Sequence, residues 1–163
     1  MTMPTTWKVR RADPSEAPAI AALYRRTAGR EWDFLYPHTP EEDLGHFGKS
    51  FSRGTVWVVE AEGAVAGFCA VRRGWIDHLY VDHAWHGKGI GQALVARALT
   101  GRQHVTLWTF QRNTRSRSFY RLLGFTEARF TDGADNEEKE PDVLLEWRKS
   151  RKSRSPSPPG EGG

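Results

Sequence analysis

Apolar and polar positions change period along the chain, and each change marks an element. Trp7 to Arg11 alternates and reads as a first strand. Asp13-Pro14 supplies an acceptor cap and a first-turn proline, and Ala17, Ile20, Ala21 and Tyr24 then share one helical face until about Gly29. Thr39-Pro40-Glu41-Glu42 is a capping box that opens a second helix, to about Phe51. Thr55 to Ala61 is β-branched and aromatic, and Glu62-Gly63 turns it into a partner strand, Ala64 to Arg73. Beyond Gly74 lies the strand Trp75 to Val81. A polar turn from Asp82 to Lys88 follows, then a helix face of Ile90, Leu94 and Ala98 ending near Gly101. His104 to Phe110 is a strand, Arg115 to Leu123 a short helix stopped by Gly124, and Phe125 to Thr131 and Val143 to Trp147 are the last strands. The order β-α-α-β-β-β-α-β-α-β-β predicts an α/β fold, one mixed sheet in a single domain, without internal repeats.

Composition narrows this picture. A chain of 163 residues with 38% hydrophobic residues and seven tryptophans can bury one real core. No apolar run reaches the length of a membrane span, and MTMPTTWKVR has no secretory h-region. The single cysteine, Cys69, sits in an apolar strand pattern and reads as a buried thiol of a reducing, cytoplasmic compartment. The formal charge of +4 resides in residues 148–163, where Arg148, Lys149, Arg151, Lys152 and Arg154 face only Glu161. The body, residues 1–147, is balanced, which argues against a nucleic-acid-binding domain. The tail, residues 148–163, is rich in Ser, Pro and Gly and reads as disordered and solvated. The six histidines include no helical pair and no Cys-x-x-Cys accompanies them, so no metal is implied.

Candidate chemistry centres on Ile76 to Leu99. A strand runs into a turn holding Gly87, Gly89 and Gly91 and then into a helix. Glycines let backbone N–H groups approach a ligand, and a helix N-terminus suits phosphate. A P-loop needs Ser or Thr after Gly-Lys, whereas Lys88 precedes Gly89. A dinucleotide fingerprint needs a third glycine where Gln92 stands. The stretch resembles the GCN5-related N-acetyltransferases, whose signature Gln/Arg-x-x-Gly-x-Gly/Ala follows a strand ending in Val. It reads His86-Gly87-Lys88-Gly89-Ile90-Gly91 here, with His86 in place of Gln or Arg. A second match, Asn113 with Phe119-Tyr120 and Gly124-Phe125, keeps that family's later spacing, and the element order agrees over about residues 7–147.

The resemblance implies an acetyl-CoA-dependent N-acetyltransferase working by direct attack of an amine. The cradle His86, Gly87, Lys88, Gly89, Ile90 and Gly91 would hold the pyrophosphate. Backbone groups of Leu79, Tyr80 and Val81 would pair with the pantetheine arm, and Asn113 is either a cofactor contact or a helix cap. Tyr120 is the candidate acid for the leaving thiolate, or else a packed core aromatic. Asp77 is the candidate base, by way of burial or a water relay, or else simply a polar residue at a strand start; simple alternation sets it on the face of Leu79 and Val81, with His78 opposite. The expected acceptor is a small-molecule primary amine met by Glu31 and Asp33 among Trp32, Phe34 and Tyr36, with a further acidic rim from Asp132 to Asp142; the alternative for that segment is that Trp32 and Phe34 pack the helix pair and the acids are solvated. A protein or peptide amine, and a non-catalytic acyl-CoA sensor, are the alternatives. No membrane or nucleic-acid partner is expected, and a homodimer is left open.

Overall fold

The computed structural model describes residues 6–31 and 38–150. The strands β1 (Trp7–Arg11), β2 (Thr55–Ala61), β3 (Ala64–Arg72), β4 (Trp75–Val81), β5 (His104–Phe110), β6 (Thr126–Phe130) and β7 (Asp142–Arg148) form one sheet in the order β1-β2-β3-β4-β5-β7-β6. Every neighbouring pair is antiparallel except β4 and β5. Helices α1 (Ala17–Glu31) and α2 (Pro40–Arg53) cover one face, and α3 (Ile90–Leu99) and α4 (Thr114–Leu122) the other. The mixed α/β architecture matches the element order read from the sequence.

Local chemistry explains the boundaries. Thr39 Oγ1 accepts from the Glu42 amide at 3.1 Å and the Thr39 amide donates to Glu42 Oε1 at 3.0 Å, so both halves of the α2 capping box form. Helix α1 runs past Gly29 to Glu31, because a single glycine near a helix end costs only about 1 kcal/mol. Strand β7 extends one residue into the stretch read as tail: Arg148 pairs with His104, and the Lys149 amide donates to the Gln103 carbonyl at 2.9 Å. The rest of the tail, residues 151–163, lies outside the described residues. Among the described residues no helix is long and apolar enough to cross a membrane.

Two apolar clusters flank the sheet. Ile76, Leu94, Val105, Phe125 and Leu145 anchor the α3/α4 side, and Ile20, Leu23, Phe47, Val58 and Phe68 the α1/α2 side. Gly67 lets α3 approach, since a Cβ there would stand 3.1 Å from Ile90 Cγ2 and 3.2 Å from the Tyr80 carbonyl. Cys69 is fully buried, and burial pushes its thiol up to about 12, as an inert core residue requires.

The register of β3 against β4 slips between Ala70 and Val71. Ala70 faces His78 and Val71 faces Ile76, so Asp77 is the extra residue of a β-bulge. The bulge corrects the alternation expected for this strand. Ile76, not Asp77, packs with Leu79 and Val81 towards α3, while Asp77 is exposed.

Candidate active site

The cleft arises where the sheet comes apart. Strands β4 and β5 share a single parallel rung, Trp75 with Thr106, closed by the Thr106 amide donating to the Gly74 carbonyl at 2.9 Å. Beyond it they diverge. The opening, about 1010 Å³, is lined by Asp77 to Val81 on one side, Trp108 to Phe110 on the other, and the glycine turn and α4 at one end.

The free edge of β4 has a defined phase. The Asp82 amide donates to the Ala66 carbonyl at 2.8 Å, so in this antiparallel ladder the main-chain groups of Tyr80 and His78 turn to β3. Those of Leu79 and Val81 turn to the gap. Tyr80, named with them from the sequence, therefore offers the cleft its side chain and not its backbone.

The glycine turn ends at Gly89, which caps α3 in the left-handed region (φ +82°) with no side-chain hydrogen bond. The first-turn amides of Ile90, Gly91 and Gln92 have no intrahelical acceptor. Gly87 is also left-handed (φ +76°), and a Cβ built on it meets nothing within 4 Å. Open space above uncapped amides at a positive helix end suits a pyrophosphate. Gly91 has a second duty: a Cβ there would come within 3.1 Å of the Phe119 ring, so it sets the approach of α3 to α4. The Ile90 side chain is core, and that of Lys88 is exposed and outside the cleft lining.

His86 folds back onto the strand. Its Nε2 lies 2.9 Å from the Val81 carbonyl oxygen and its Nδ1 3.0 Å from Arg115 Nη2. A carbonyl only accepts and a guanidinium only donates, so the proton sits on Nε2. Asn113 caps α4, its Oδ1 accepting from the Ser116 amide at 3.0 Å, and it also borders the cleft.

Tyr120 is 5% exposed and packs against Phe119 and Phe125 at ring separations of 5.1 and 5.2 Å. It is both core aromatic and cleft lining. Its hydroxyl has no hydrogen-bond partner among the described residues, and burial raises its pKa well above that of a free phenol, which keeps the proton on. Asp77 borders the cleft but gives both oxygens to Arg72, whose Nε and Nη2 donate at 3.1 Å each.

The far end is closed by the segment joining β6 to β7, which is a built platform. Arg112 donates twice to Glu140, at 2.8 Å each, and Gln111 Nε2 donates to the carbonyls of Thr131 and Asp142 at 2.7 and 2.9 Å. Gly133 (φ +83°) leaves no room for a Cβ, which would meet the Glu140 carbonyl carbon at 2.4 Å. Glu137 reaches across to His38 at 2.9 Å. Asp132, Asp135, Glu138 and Asp142 border the cleft there. Asp33 and the side chain of Glu31, the acceptor wall expected from the sequence, lie outside the described residues.

A split mixed sheet with a glycine-built helix end at the split defines a single-domain α/β protein of the acetyltransferase type. The profile of the acetyltransferase (GNAT) domain matches residues 52–127. The peptidyl-lysine N-acetyltransferase YjaB of Salmonella typhimurium is 31% identical over 121 residues, covering 72% of this chain and 81% of that protein. The solution structure of apo YjaB from Escherichia coli superimposes with a TM-score of 0.70 at 23% identity, over 87% of this chain and 97% of that one. PaiA N-acetyltransferase from Thermoplasma acidophilum, in complex with coenzyme A, superimposes with a TM-score of 0.65 at 17% identity, over 88% and 99%. The chain belongs to the GCN5-related N-acetyltransferase family. It is an N-acetyltransferase, and acetyl-CoA is its acyl donor.

Proposed function

We propose that the acceptor is a cationic primary amine of the lysine type. The observation that carries this is the pair Asp135 and Glu138, which border the cleft at the end away from the glycine turn and have no partner among the described residues. Two unneutralised carboxylates at a cleft mouth attract an ammonium group and repel an anionic acceptor. Trp108, 43% exposed on the same cleft, adds an aromatic face for the alkyl stem or the charge. The small-molecule amine expected from the sequence would share this charge. The similarity to a peptidyl-lysine N-acetyltransferase favours lysine within a peptide or protein.

In this reading the turn amides at Gly87, Gly89 and Gly91 hold the pyrophosphate, and the gap-facing backbone of Leu79 and Val81 holds the pantetheine arm. His86 keeps Arg115 beside the cradle, and Asn113 orders the start of α4 next to it. Tyr120 gives its phenolic proton to the departing thiolate, which a group with a raised pKa does only once the sulfur carries charge. Asp77, tied to Arg72, supports the strand bend and adds negative charge near the amine. The buried lone thiol suits a cytoplasmic enzyme.

The test is a panel of lysine peptides, polyamines and neutral amines with acetyl-CoA, read by released thiol. Lysine peptides and polyamines are expected to lead. Asp135→Asn with Glu138→Gln should raise the amine KM at least threefold, leave that of acetyl-CoA alone, and weaken the dependence on salt. A preference for neutral amines would overturn the reading.

A further inference from the structure

The α1/α2 face of β4 carries a histidine pair that no strand or helix period announces. His46 on α2 and His78 on β4 hold their Nε2 atoms 2.8 Å apart. Such a contact needs one donor and one acceptor, so one ring carries its proton on Nε2 and the other on Nδ1. His78 is half-buried within Tyr24, Phe47, Phe68 and Tyr80, with ring separations from 4.9 to 6.4 Å. It borders the cleft, whereas His46 is exposed. Nδ1 of His78 has no hydrogen-bond partner among the described residues. The pair thus runs from the inside of the cleft to solvent.

Acetyl transfer needs such a path. The acceptor arrives as an ammonium ion and must lose a proton before its lone pair can attack the thioester carbon. Forming the C–N bond and breaking the C–S bond then releases a second nitrogen proton, while the thiolate takes one. One proton per turnover must therefore reach water. Asp77, the carboxylate on this strand, is held by Arg72 through both oxygens.

We propose that His78 and His46 form a relay that takes the proton from the acceptor ammonium and delivers it to water. His78 begins with its proton on Nε2, donated to His46 Nε2, and His46 begins with its proton on Nδ1. His78 Nδ1 accepts from the ammonium, the Nε2 proton crosses 2.8 Å to His46 Nε2, and His46 releases its Nδ1 proton to solvent. One proton enters and one leaves, and neither ring remains charged. Exchange with water restores the starting tautomers after product leaves.

The surroundings agree with a relay better than with a resting base. Burial, and then His46 nearby, pushes His78 down to about 3. Burial, and then Arg53, lowers His46 as well, against the opposing charges of Asp77 and Asp43. Both rings are therefore neutral near pH 7, and a neutral His78 has the lone pair that accepts. The other titratable or charged groups around the pair among the described residues are Tyr24 on α1, His38 just ahead of α2, and Tyr80 on β4; β3 presents the apolar Phe68 and Ala70. A site this unfavourable to imidazolium passes a proton onward instead of storing it.

The inference rests on the acceptor entering as proposed above, and the two are tested by different quantities: acceptor preference by KM and salt, the relay by kcat and ring nitrogens. In the full chain labelled with ¹⁵N-histidine, without acceptor, one Nε2-protonated and one Nδ1-protonated ring should appear, coupled across the Nε2···Nε2 contact. His46→Gln keeps an acceptor for His78 but cannot pass a proton. Its kcat on a lysine peptide should fall at least tenfold, with acetyl-CoA KM unchanged and the smallest loss for amines of low pKa. Added imidazole should restore much of the activity of the exposed-site variant His46→Ala, a rescue that a purely structural role would not give. Two uncoupled rings, or native kcat in His46→Gln, would overturn the relay.

Discussion

His86 donates from Nε2 to the carbonyl of Val81 and accepts at Nδ1 from Arg115, so one imidazole bridges the end of β4 and the first turn of α4. The Val81 carbonyl points into the gap, where β5 offers it nothing. The ring supplies the missing donor, and it does so from the position where the family pattern has Gln or Arg. A side chain that carries no fixed charge of its own thereby brings the guanidinium of Arg115 to the cradle. His86→Ala should cost about 1–2 kcal/mol of stability, from two exposed or half-buried hydrogen bonds. Amide exchange at the start of α4 should quicken in the same variant. Unchanged melting and unchanged exchange would show the bridge to be idle.

Gly89 sits at φ +82°, where a β-branched residue is strained, and it opens the helix end proposed above to hold the pyrophosphate. Gly89→Val should weaken acetyl-CoA binding at least tenfold, about 1.4 kcal/mol, by calorimetry on protein whose circular dichroism remains native. Native affinity in that variant would remove the pyrophosphate from this turn.

Tyr120→Phe keeps the ring stack with Phe119 and Phe125 and removes only the hydroxyl. Turnover should drop about 10²-fold with acetyl-CoA affinity nearly unchanged. Because burial raises the phenol, the wild-type rate should show no loss assignable to tyrosine ionisation up to about pH 10. A phenylalanine variant with full activity would return Tyr120 to a packing role.

His78 makes stability depend on pH in a set direction. Its folded value of about 3 lies below the ordinary 6.5, so between those limits the unfolded chain binds the extra proton. The contribution is complete above about pH 6.5 and is lost as pH falls towards 3, with a slope of at most about 1.4 kcal/mol per pH unit. Glu16, Asp82 and Glu127 are lowered too, the first and last chiefly by Arg10 and Arg117, and they add to the loss at lower pH. Denaturant melts from pH 7 to pH 4 on wild type and His78→Phe should show the shallower slope in the variant; equal slopes would contradict the assignment.

The elements were legible because their signals are local: a capping box at Thr39, glycines at the cradle, apolar positions at helical spacing in α3. What escaped depends on partners far apart in sequence. The bulge at Asp77 leaves no trace in an alternating pattern, yet it moves Ile76 to the α3 face. His46 and His78 are 32 residues apart and meet only because α2 packs on the face of the sheet to which β4 turns His78. Asp43 looks like an ordinary first-turn acid of α2, but it is 4% exposed and bound to Arg25 at 2.6 Å. The segment after β6 reads as a polar loop, while Arg112 and Glu140 make it a platform. The parting of β4 and β5 is an absence of hydrogen bonds, and no residue type encodes an absence.

That single rung between Trp75 and Thr106 has a thermodynamic consequence. Past that rung β4 and β5 share no ladder, and both main-chain groups of Leu79 and the amide of Val81, whose carbonyl His86 already holds, face the gap. An acyl donor that pairs there, as proposed above, would complete the sheet as an inserted strand does and would bind only the folded chain. Donor supply is then part of this enzyme's folding equilibrium: each tenfold rise in free donor above its dissociation constant adds about 1.4 kcal/mol to the native state. A cell rich in the donor holds more of the enzyme intact as well as more of it at work.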